Sequence, residues 1–412
     1  MKYRVLILGQ GGREHALAEH LAASPLLDSL WVCPGNAGMS LRGLSCVADD
    51  GADAVVAFCQ QNRVHIVVPG PEAYMVTDLK ARLHAAGVYC FAPTPHLAQL
   101  ESSKRFAKGI LREAGLPTAR AEQIDDLATG RRALAAHDFA RGGIVLKADG
   151  LAAGKGVVVC PDRGRAEQAL HALAAAHGFP MLLEEELAGP ELSAFALCAG
   201  DAFCLLGTAC DYKRISPDPY SANTGGMGAY SPCDFIDDAD WRAINRIFAR
   251  TLQVLGAQGQ RYEGFLFAGL MKTATGIQVL EFNVRLGDPE AQALLPRLGC
   301  DLLALIVQAR DGQLQTAAPA ERAECAVHVV AASQGYPQAD MLLGQAITLP
   351  PDLTGITFAG VSSRQGQLVN SGGRVLGAAA LAPSRARARA RAYERLGAIT
   401  FNGMYCRPDI GQ

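Results

Sequence analysis

The chain has 412 residues, which at about 150 residues per domain allows two to four domains. Half of the residues are hydrophobic and 19% are charged, enough apolar material for large cores and too much for a mostly disordered chain. With 38 basic against 40 acidic residues the net charge is −2, and aromatic residues make up 6%, so neither a polyanion-binding surface nor a row of base-stacking platforms has support. The twelve cysteines are scattered without a Cys-x-x-Cys pair or a zinc spacing; even the closest group, Cys198, Cys204 and Cys210, matches no common metal motif. They read as buried small hydrophobes.

The N-terminal run RVLIL at 4–8 is too short for a signal peptide or a membrane span and reads as a buried strand. Together with the cysteines it points to a soluble protein of the cytoplasm. A helical pattern with Leu17 and Leu21 on one face follows the turn at 9–12. Strand-like runs recur at 29–33, 65–72 and 88–93, with helix-like stretches between them, including 75–86. Continuous apolar strands alternating with helices predict a parallel sheet covered on both faces, with functional loops at the carboxyl ends of its strands.

A second unit begins near Lys104 with a helix ended by Gly115 and Pro117. Strands are expected at 144–150, 157–160 and 181–187, with a helix at 165–177. Apolar runs at 191–210 and 263–283 suit an antiparallel sheet. A third unit, about 326–412, reads as a small α+β module. Its stretch RARARARAYERL is explained as a helix with a solvated basic face, not a nucleic-acid site.

Three segments carry chemistry. The turn Gly9-x-Gly11-Gly12 lacks the further glycine of a dinucleotide fingerprint, because Glu14 stands there. It is read as a strand-to-helix turn whose amides face an anion, with plain turn geometry and an NAD site as the alternatives. The segment from Lys147 to Val157 is sharper: Gly150, Gly154 and Gly156 make a loop able to fold amides and the Lys155 ammonium over nucleotide phosphates, with Lys147 fixed just before it. In EFNVRLGDPE at 281–290, Glu281 and Asn283 alternate onto one strand face, offering a carboxylate and an amide oxygen to Mg²⁺ that carries phosphates. Arg285 continues that face and could neutralise a carboxylate or a transferring phosphoryl group. A glycine-rich turn at 223–232, preceded by Asp211 to Arg214, adds a fourth element.

With these segments in hand, the chain resembles the phosphoribosylamine–glycine ligase family, the glycinamide ribonucleotide synthetases among the ATP-grasp ligases. The resemblance runs over essentially the whole length through GQGGREHALA at 9–18, PGNAG at 34–38, VVPGPE at 67–72, LKADGLAAGKGVVV at 146–159, NTGGMGAYSP at 223–232, EFNVRLGDPE at 281–290, SGGRVL at 371–376 and FNGMYCRPDIG at 401–411. It implies an α/β and α+β chain in three domains: a parallel-sheet (pre-ATP-grasp) domain at 1–103, an ATP-grasp domain at 104–325 with a lid at about 121–191, and a C-terminal α+β domain at 326–412. By the same resemblance Lys104 and Lys147 contact the ATP phosphates, with Gly150, Gly154, Lys155 and Gly156 in the lid loop. Glu184, Glu185 and Leu187 lie at the adenine and Glu191 at the ribose. Glu281 and Asn283 hold Mg²⁺, or Mn²⁺ in its place, and Asp211, Lys213, Arg285 and Asp288 belong to the pocket for glycine and 5-phosphoribosylamine. The implied chemistry is ATP-dependent activation of glycine as an acyl phosphate, attack by the amine, and a lid that shields the intermediate from water. No nucleophilic side chain is needed. The expected partners are these small molecules, with no nucleic acid and no membrane, and the expected state is a monomer, with a dimer as the alternative.

Several family positions differ. Gln-Asp-His-Lys-Arg is here Cys210-Asp211-Tyr212-Lys213-Arg214, Gly-Pro is Ser221-Ala222, Gly-Glu-Glu is Gly189-Pro190-Glu191, and Asn370 replaces Thr. An insertion containing Phe-Gly is missing before residue 181. Exchanging an amide and an imidazole for a thiol and a phenol alters hydrogen bonding at two positions. A paralogous ligase using another amino acid or amine therefore stands as the alternative, followed by a catalytically silent ATP-binding protein and an NAD-dependent oxidoreductase.

Overall fold

A computed structural model of the chain describes residues 2–151, 156–218, 221–317 and 322–412. Five strands open it: β1 (Tyr3–Gly9), β2 (Leu27–Pro34), β3 (Ser45–Cys46), β4 (Ile66–Pro69) and β5 (Tyr89–Cys90). They form a parallel sheet in the order β3-β2-β1-β4-β5. Val5, Leu6, Ile7 and Leu8 of β1 are all buried, since a central parallel strand has no solvent side. The strand order reverses between β1 and β4, so the turns after them open side by side. The expected 75–86 helix is shorter than its apolar pattern: a 3₁₀ turn spans Glu72–Tyr74 and the helix runs Leu79–Ala85. Thr77 is the reason, donating its hydroxyl to the Tyr74 carbonyl and accepting from the Leu79 amide.

The strands β6 (Ala121–Ile124), β7 (Ile144–Ala148), β8 (Val157–Cys160) and β9 (Met181–Glu185) make a separate antiparallel sheet in the order β6-β9-β7-β8. Helices Leu127–Ala136 and Arg163–His177 cover it, and Ile124, Leu134, Ile144, Leu146, Leu170 and Met181 give it a core of its own. The β7–β8 hairpin ends in the glycine loop. Gly154 and Lys155 of that loop lie outside the described residues.

The remaining strands are β10 (Glu191–Ala199), β11 (Ala202–Asp211), β12 (Gly228–Ser231), β13 (Glu263–Thr273), β14 (Gly276–Asn283), β15 (Cys325–Ala332), β16 (Ile356–Phe358), β17 (Val361–Arg364), β18 (Gln367–Asn370) and β19 (Arg374–Ala382). Eight of them form one sheet in the order β14-β13-β10-β11-β12-β15-β19-β16, while β17 and β18 pair alone. The division expected at 325/326 is thus crossed by a continuous sheet: β15 pairs with β12, covering an edge that would otherwise expose unpaired amides. The helix Arg385–Gly397 packs against β15 and β19, and four of its five arginines are spent on the protein itself. Arg389 donates to the carbonyls of Ile410 and Pro408, Arg391 to that of Leu381, Arg395 to that of Ala379, and Arg385 pairs with Asp234. Among the described residues no helix is long and apolar enough to cross a membrane.

Candidate functional site

The register between β13 and β14 shifts at one point: Gly269 faces Glu281, yet Leu270 faces Val279, leaving Leu280 as the extra residue of a bulge. Its carbonyl is thereby released and accepts from Lys147 Nζ at 3.1 Å. Lys147, at the end of β7, also pairs with Glu184 Oε2 at 2.9 Å. Glu184 is 2% exposed and takes a second lysine, Lys108, at 3.1 Å on Oε1. An ammonium offers three donors. Lys108 donates to Thr118 Oγ1 and the Ala119 carbonyl, each at 2.8 Å, and has Glu184 Oε1 on its third side as an ion pair without a hydrogen bond. Among the described residues Lys147 has two oxygens around it, which leaves one side of its ammonium open to a ligand. Lys104, on the same helix as Lys108, reaches among the described residues only the Gly150 carbonyl at 3.4 Å.

Glu281 stands among these lysines. A Cβ at Gly269 would come within 3.2 Å of its Cγ, so the glycine makes room for it. Burial would push its carboxyl up, but the charges of Lys213, Lys147, Lys104 and Arg285 outweigh burial and hold it below the ordinary carboxylate range. No hydrogen bond or ion pair engages this carboxylate among the described residues. An ionised, unengaged carboxylate next to the Asn283 amide fits a divalent cation held by few protein oxygens and completed by phosphates and water. Among the described residues there is no cluster of three or more His, Cys, Asp or Glu side chains that would hold a metal without such help.

Arg285 neutralises carboxylates, one of its two expected roles: its guanidinium pairs with Glu72 at 2.9 Å and Glu101 at 2.8 Å and also reaches the Leu286 carbonyl and Asn283 Oδ1. It ties the end of β14 to the loop after β4. The Glu184 side chain anchors Lys108 and Lys147. Glu185 pairs with Arg120 at 3.0 Å on the outer side, and Leu187 is half-buried beyond the end of β9. Glu191 pairs with Lys213 at 2.6 Å; both are about half exposed. Burial would lower the Lys213 ammonium, yet Glu191, Glu281 and Asp211 together raise it. Gly150 (φ +129°) has open space around it, and Gly156 accepts from the Ala148 amide at 2.8 Å.

A second group adjoins the first. Among the described residues Asp211 Oδ1 is buried without a partner, and burial together with the nearby Glu290 pushes the carboxyl well up, against Lys213 and Arg374. Gly226 (φ +107°) passes so close that a Cβ there would lie 2.6 Å from Asp211 Oδ1 and 2.3 Å from Pro289. Asp288 pairs with Arg374 at 3.3 Å and accepts from Gln292 at 2.9 Å; burial would raise it, but Arg374 and Arg13 hold it low. Arg374 also donates to the Gly225 and Asp288 carbonyls, tying the SGGR segment to the 223–226 turn. The turn at 9–12 meets this group from the other side. There the Gly11 amide donates to Glu14 at 2.7 Å, so this carboxylate occupies the helix terminus read as an anion site.

Lys108, Glu290, Arg374, Glu72 and Glu101 escaped the sequence reading. Lys108 had a signal, lying one helical turn from Lys104; Arg374 and Glu290 sit inside quoted motifs, but nothing local marks their partners.

His328 lies behind Asp288 and Arg374, buried, with Nε2 at 3.1 Å from Thr357 Oγ1 and Nδ1 unpartnered. Burial is the largest effect and lowers its pKa from 6.5 to about 4, with Asp288 raising it and Arg374 lowering it further. The unfolded chain therefore binds the proton first, and this contribution to stability is lost as pH falls from 6.5 through about 4. A loss on the order of 3 kcal/mol is expected for a shift of this size. Denaturant titrations over that range should give a shallower slope for His328→Gln than for the parent; equal slopes would refute it.

The departures at 210 and 212 fall on one face of the chain and Asp211 and Lys213 on the other, as extended backbone requires. Cys210 Sγ meets Cys233 Sγ at 2.7 Å, and the Tyr212 hydroxyl accepts from the Gly411 amide at 3.0 Å under the Arg407 guanidinium. Neither faces the acidic group. Ser221 donates to the Asp218 carbonyl at 2.7 Å within its own loop. Asn370 is buried, donating to Ser333 Oγ and the Leu342 carbonyl and accepting from the Gln345 amide, each at 2.7 Å. It is a structural joint.

The family models for phosphoribosylglycinamide synthetase match in three parts: the N domain at residues 3–101, the ATP-grasp (A) domain at 102–291 and the C domain at 326–412. The chain belongs to the phosphoribosylglycinamide synthetase family. Among similar relatives, the phosphoribosylamine–glycine ligase of Caulobacter vibrioides is 40% identical over 424 residues, covering 100% of this chain and 98% of that protein. That of Rhodopirellula baltica is 39% identical over 431 residues, covering 99% and 97%. The crystal structure of the Thermotoga maritima phosphoribosylamine–glycine ligase superposes with a TM-score of 0.87 at 33% identity, covering 99% of this chain and 100% of that one. A Hydrogenobacter thermophilus biotin carboxylase domain shares the fold at a TM-score of 0.75 and 15% identity. The three-domain architecture is that of the synthetase family.

Proposed function

We propose that this chain is an ATP-dependent ligase that joins glycine to 5-phosphoribosylamine, giving glycinamide ribonucleotide, ADP and phosphate. Full-length similarity to phosphoribosylamine–glycine ligases at about 40% identity carries the reading. The geometry agrees with it, because the two altered positions beside Asp211 turn away from the acidic group.

A glycine carboxylate cannot be displaced by an amine unaided. ATP supplies the leaving group by phosphorylating it to glycyl phosphate, and the amine nitrogen then attacks the carbonyl and expels phosphate. The spare N–H of Lys147 and the ammonium of Lys104 bind and orient the ATP phosphates, with Gly150, Gly154, Lys155 and Gly156 as the loop over them. Glu184 holds Lys147 rigid, while the chain from Glu185 through Leu187 to Glu191 borders the nucleoside. Glu281 and Asn283 would hold Mg²⁺, or Mn²⁺, which supplies charge neutralisation on the phosphates when bound. Arg285, pinned by Glu72 and Glu101, positions Asn283. The unpartnered Asp211 oxygen offers an acceptor to the amino groups of the substrates, Lys213 an attraction for glycine's carboxylate, and Asp288 with Arg374 fixes the 223–226 turn beside them.

The division into 1–103, 104–325 with the lid at 121–191, and 326–412, and a cytoplasmic monomer, belong to the same proposal. Mg-ATP, freshly generated 5-phosphoribosylamine and a panel of amino acids test it: ADP, phosphate and a glycinamide ribonucleotide mass should come with glycine, and turnover only with another amino acid would replace the reading with the paralogous ligase. Gly226→Ala should lower kcat/KM at least about tenfold, since a β-carbon must displace Asp211 or Pro289 at a cost of about 1–3 kcal/mol. A variant with unchanged kinetics would remove Asp211 from the site.

A further inference from the structure

Outside the proposed site, one contact uses chemistry that the ligase reaction leaves idle. Cys210 and Cys233 are both free, buried thiols with sulfurs 2.7 Å apart, and among the described residues no other two cysteine sulfurs lie within hydrogen-bond reach. Their position sets the consequence. Cys210 pairs with Tyr230 in the β11–β12 ladder, which has two registered pairs, fewer than any other ladder of the eight-stranded sheet. β12 in turn pairs with β15, so that ladder lies next to the seam at which β15 and β19 join the ATP-grasp strands. Cys233 follows Pro232 directly beyond β12, where its amide donates to Thr208 Oγ1 of β11 at 3.2 Å. The two cysteines therefore close the base of the 210–233 loop that carries Asp211, Lys213 and the 223–226 turn.

We propose that Cys210 and Cys233 are an oxidation site, forming a disulfide with a hydroperoxide as the two-electron oxidant and stapling β11 to β12 beneath the substrate-facing loop. One thiol gives up its proton and its thiolate attacks an oxygen of hydrogen peroxide, breaking the O–O bond; this leaves a sulfenic acid and a hydroxide, which takes up that proton and departs as the first water. The second sulfur attacks the sulfenic sulfur and expels its oxygen, which takes up the remaining thiol proton and leaves as water. Both sulfurs are oxidised by one electron and the peroxide becomes two waters. Because the sulfurs already touch, the bond forms without moving either strand far. Burial and the neighbouring Cys210 sulfur keep the Cys233 thiol largely protonated, so the reaction is slower than for a free cysteine.

Full-length reduced protein, treated with hydrogen peroxide under native conditions, tests this by intact mass, peptide mapping and thermal unfolding. The expected result is a loss of about 2 Da, a single mapped Cys210–Cys233 bond, and a melting midpoint several degrees higher because the unfolded chain is cross-linked. Dithiothreitol should reverse all three. Cys233→Ser, or Cys210→Ser where the first variant fails to fold, should abolish both the mapped bond and the peroxide-induced shift. Retention of all twelve thiols, or a bond mapped to other cysteines, overturns the proposal.

Discussion

Lys147→Ala is expected to lower turnover by about 10²–10³-fold, while Lys108→Met, one salt bridge away, lowers it by less than about tenfold. The contrast follows from the donor count. Among the described residues Lys108 is surrounded by the oxygens of Glu184, Thr118 and Ala119, whereas Lys147 meets only Glu184 and the Leu280 carbonyl. Both substitutions leave Glu184 buried with one lysine instead of two, so each should destabilise the fold by about 2–4 kcal/mol. Denaturant unfolding beside ADP-release kinetics separates the two effects. Equal losses of turnover in both variants would mean that Lys147 serves Glu184 and not the nucleotide.

Glu281→Gln keeps the shape of the side chain and removes its charge. Turnover is expected to fall by about 10²–10³-fold, with the divalent-metal concentration for half-maximal activity rising at least about tenfold. The reason is that the carboxylate is unengaged and ionised among Lys213, Lys147, Lys104 and Arg285, a field in which a neutral amide attracts no cation. Stability should also fall, because the four positive groups then face one another without the anion between them. Paramagnetic titration of Mn²⁺ into protein with a non-hydrolysable ATP analogue reads metal binding apart from turnover. An unchanged Mn²⁺ affinity would remove Glu281 from the metal.

Alternation carried much of the site from sequence to structure. Strand geometry puts Glu281 and Asn283 on one face, and the same rule separates Asp211 and Lys213 from Cys210 and Tyr212. Arg285 shows where that logic stops. Its position on the face was legible, but Glu72 and Glu101 arrive from segments more than 180 positions away in the chain and take its guanidinium. The role of Lys147 also needed the fold, because its second partner is a carbonyl freed by a bulge that no residue pattern announces.

What the sequence determined by itself was the set of local elements and their chemistry: the parallel N-terminal sheet, the lysine before the glycine loop, the carboxylate–amide pair and the family they resemble. Those features depend on periodicity and on residues within one element, which a linear pattern records. The tertiary structure alone decided which charges are spent and which remain. Among the described residues it gave Glu184 two lysines, gave Glu281 none at bonding distance, left Asp211 with an unpartnered oxygen, and ran one sheet through two expected domains. Each outcome depends on burial and on partners from distant segments, since a charged group in a low-dielectric cleft is defined by whatever the fold brings against it.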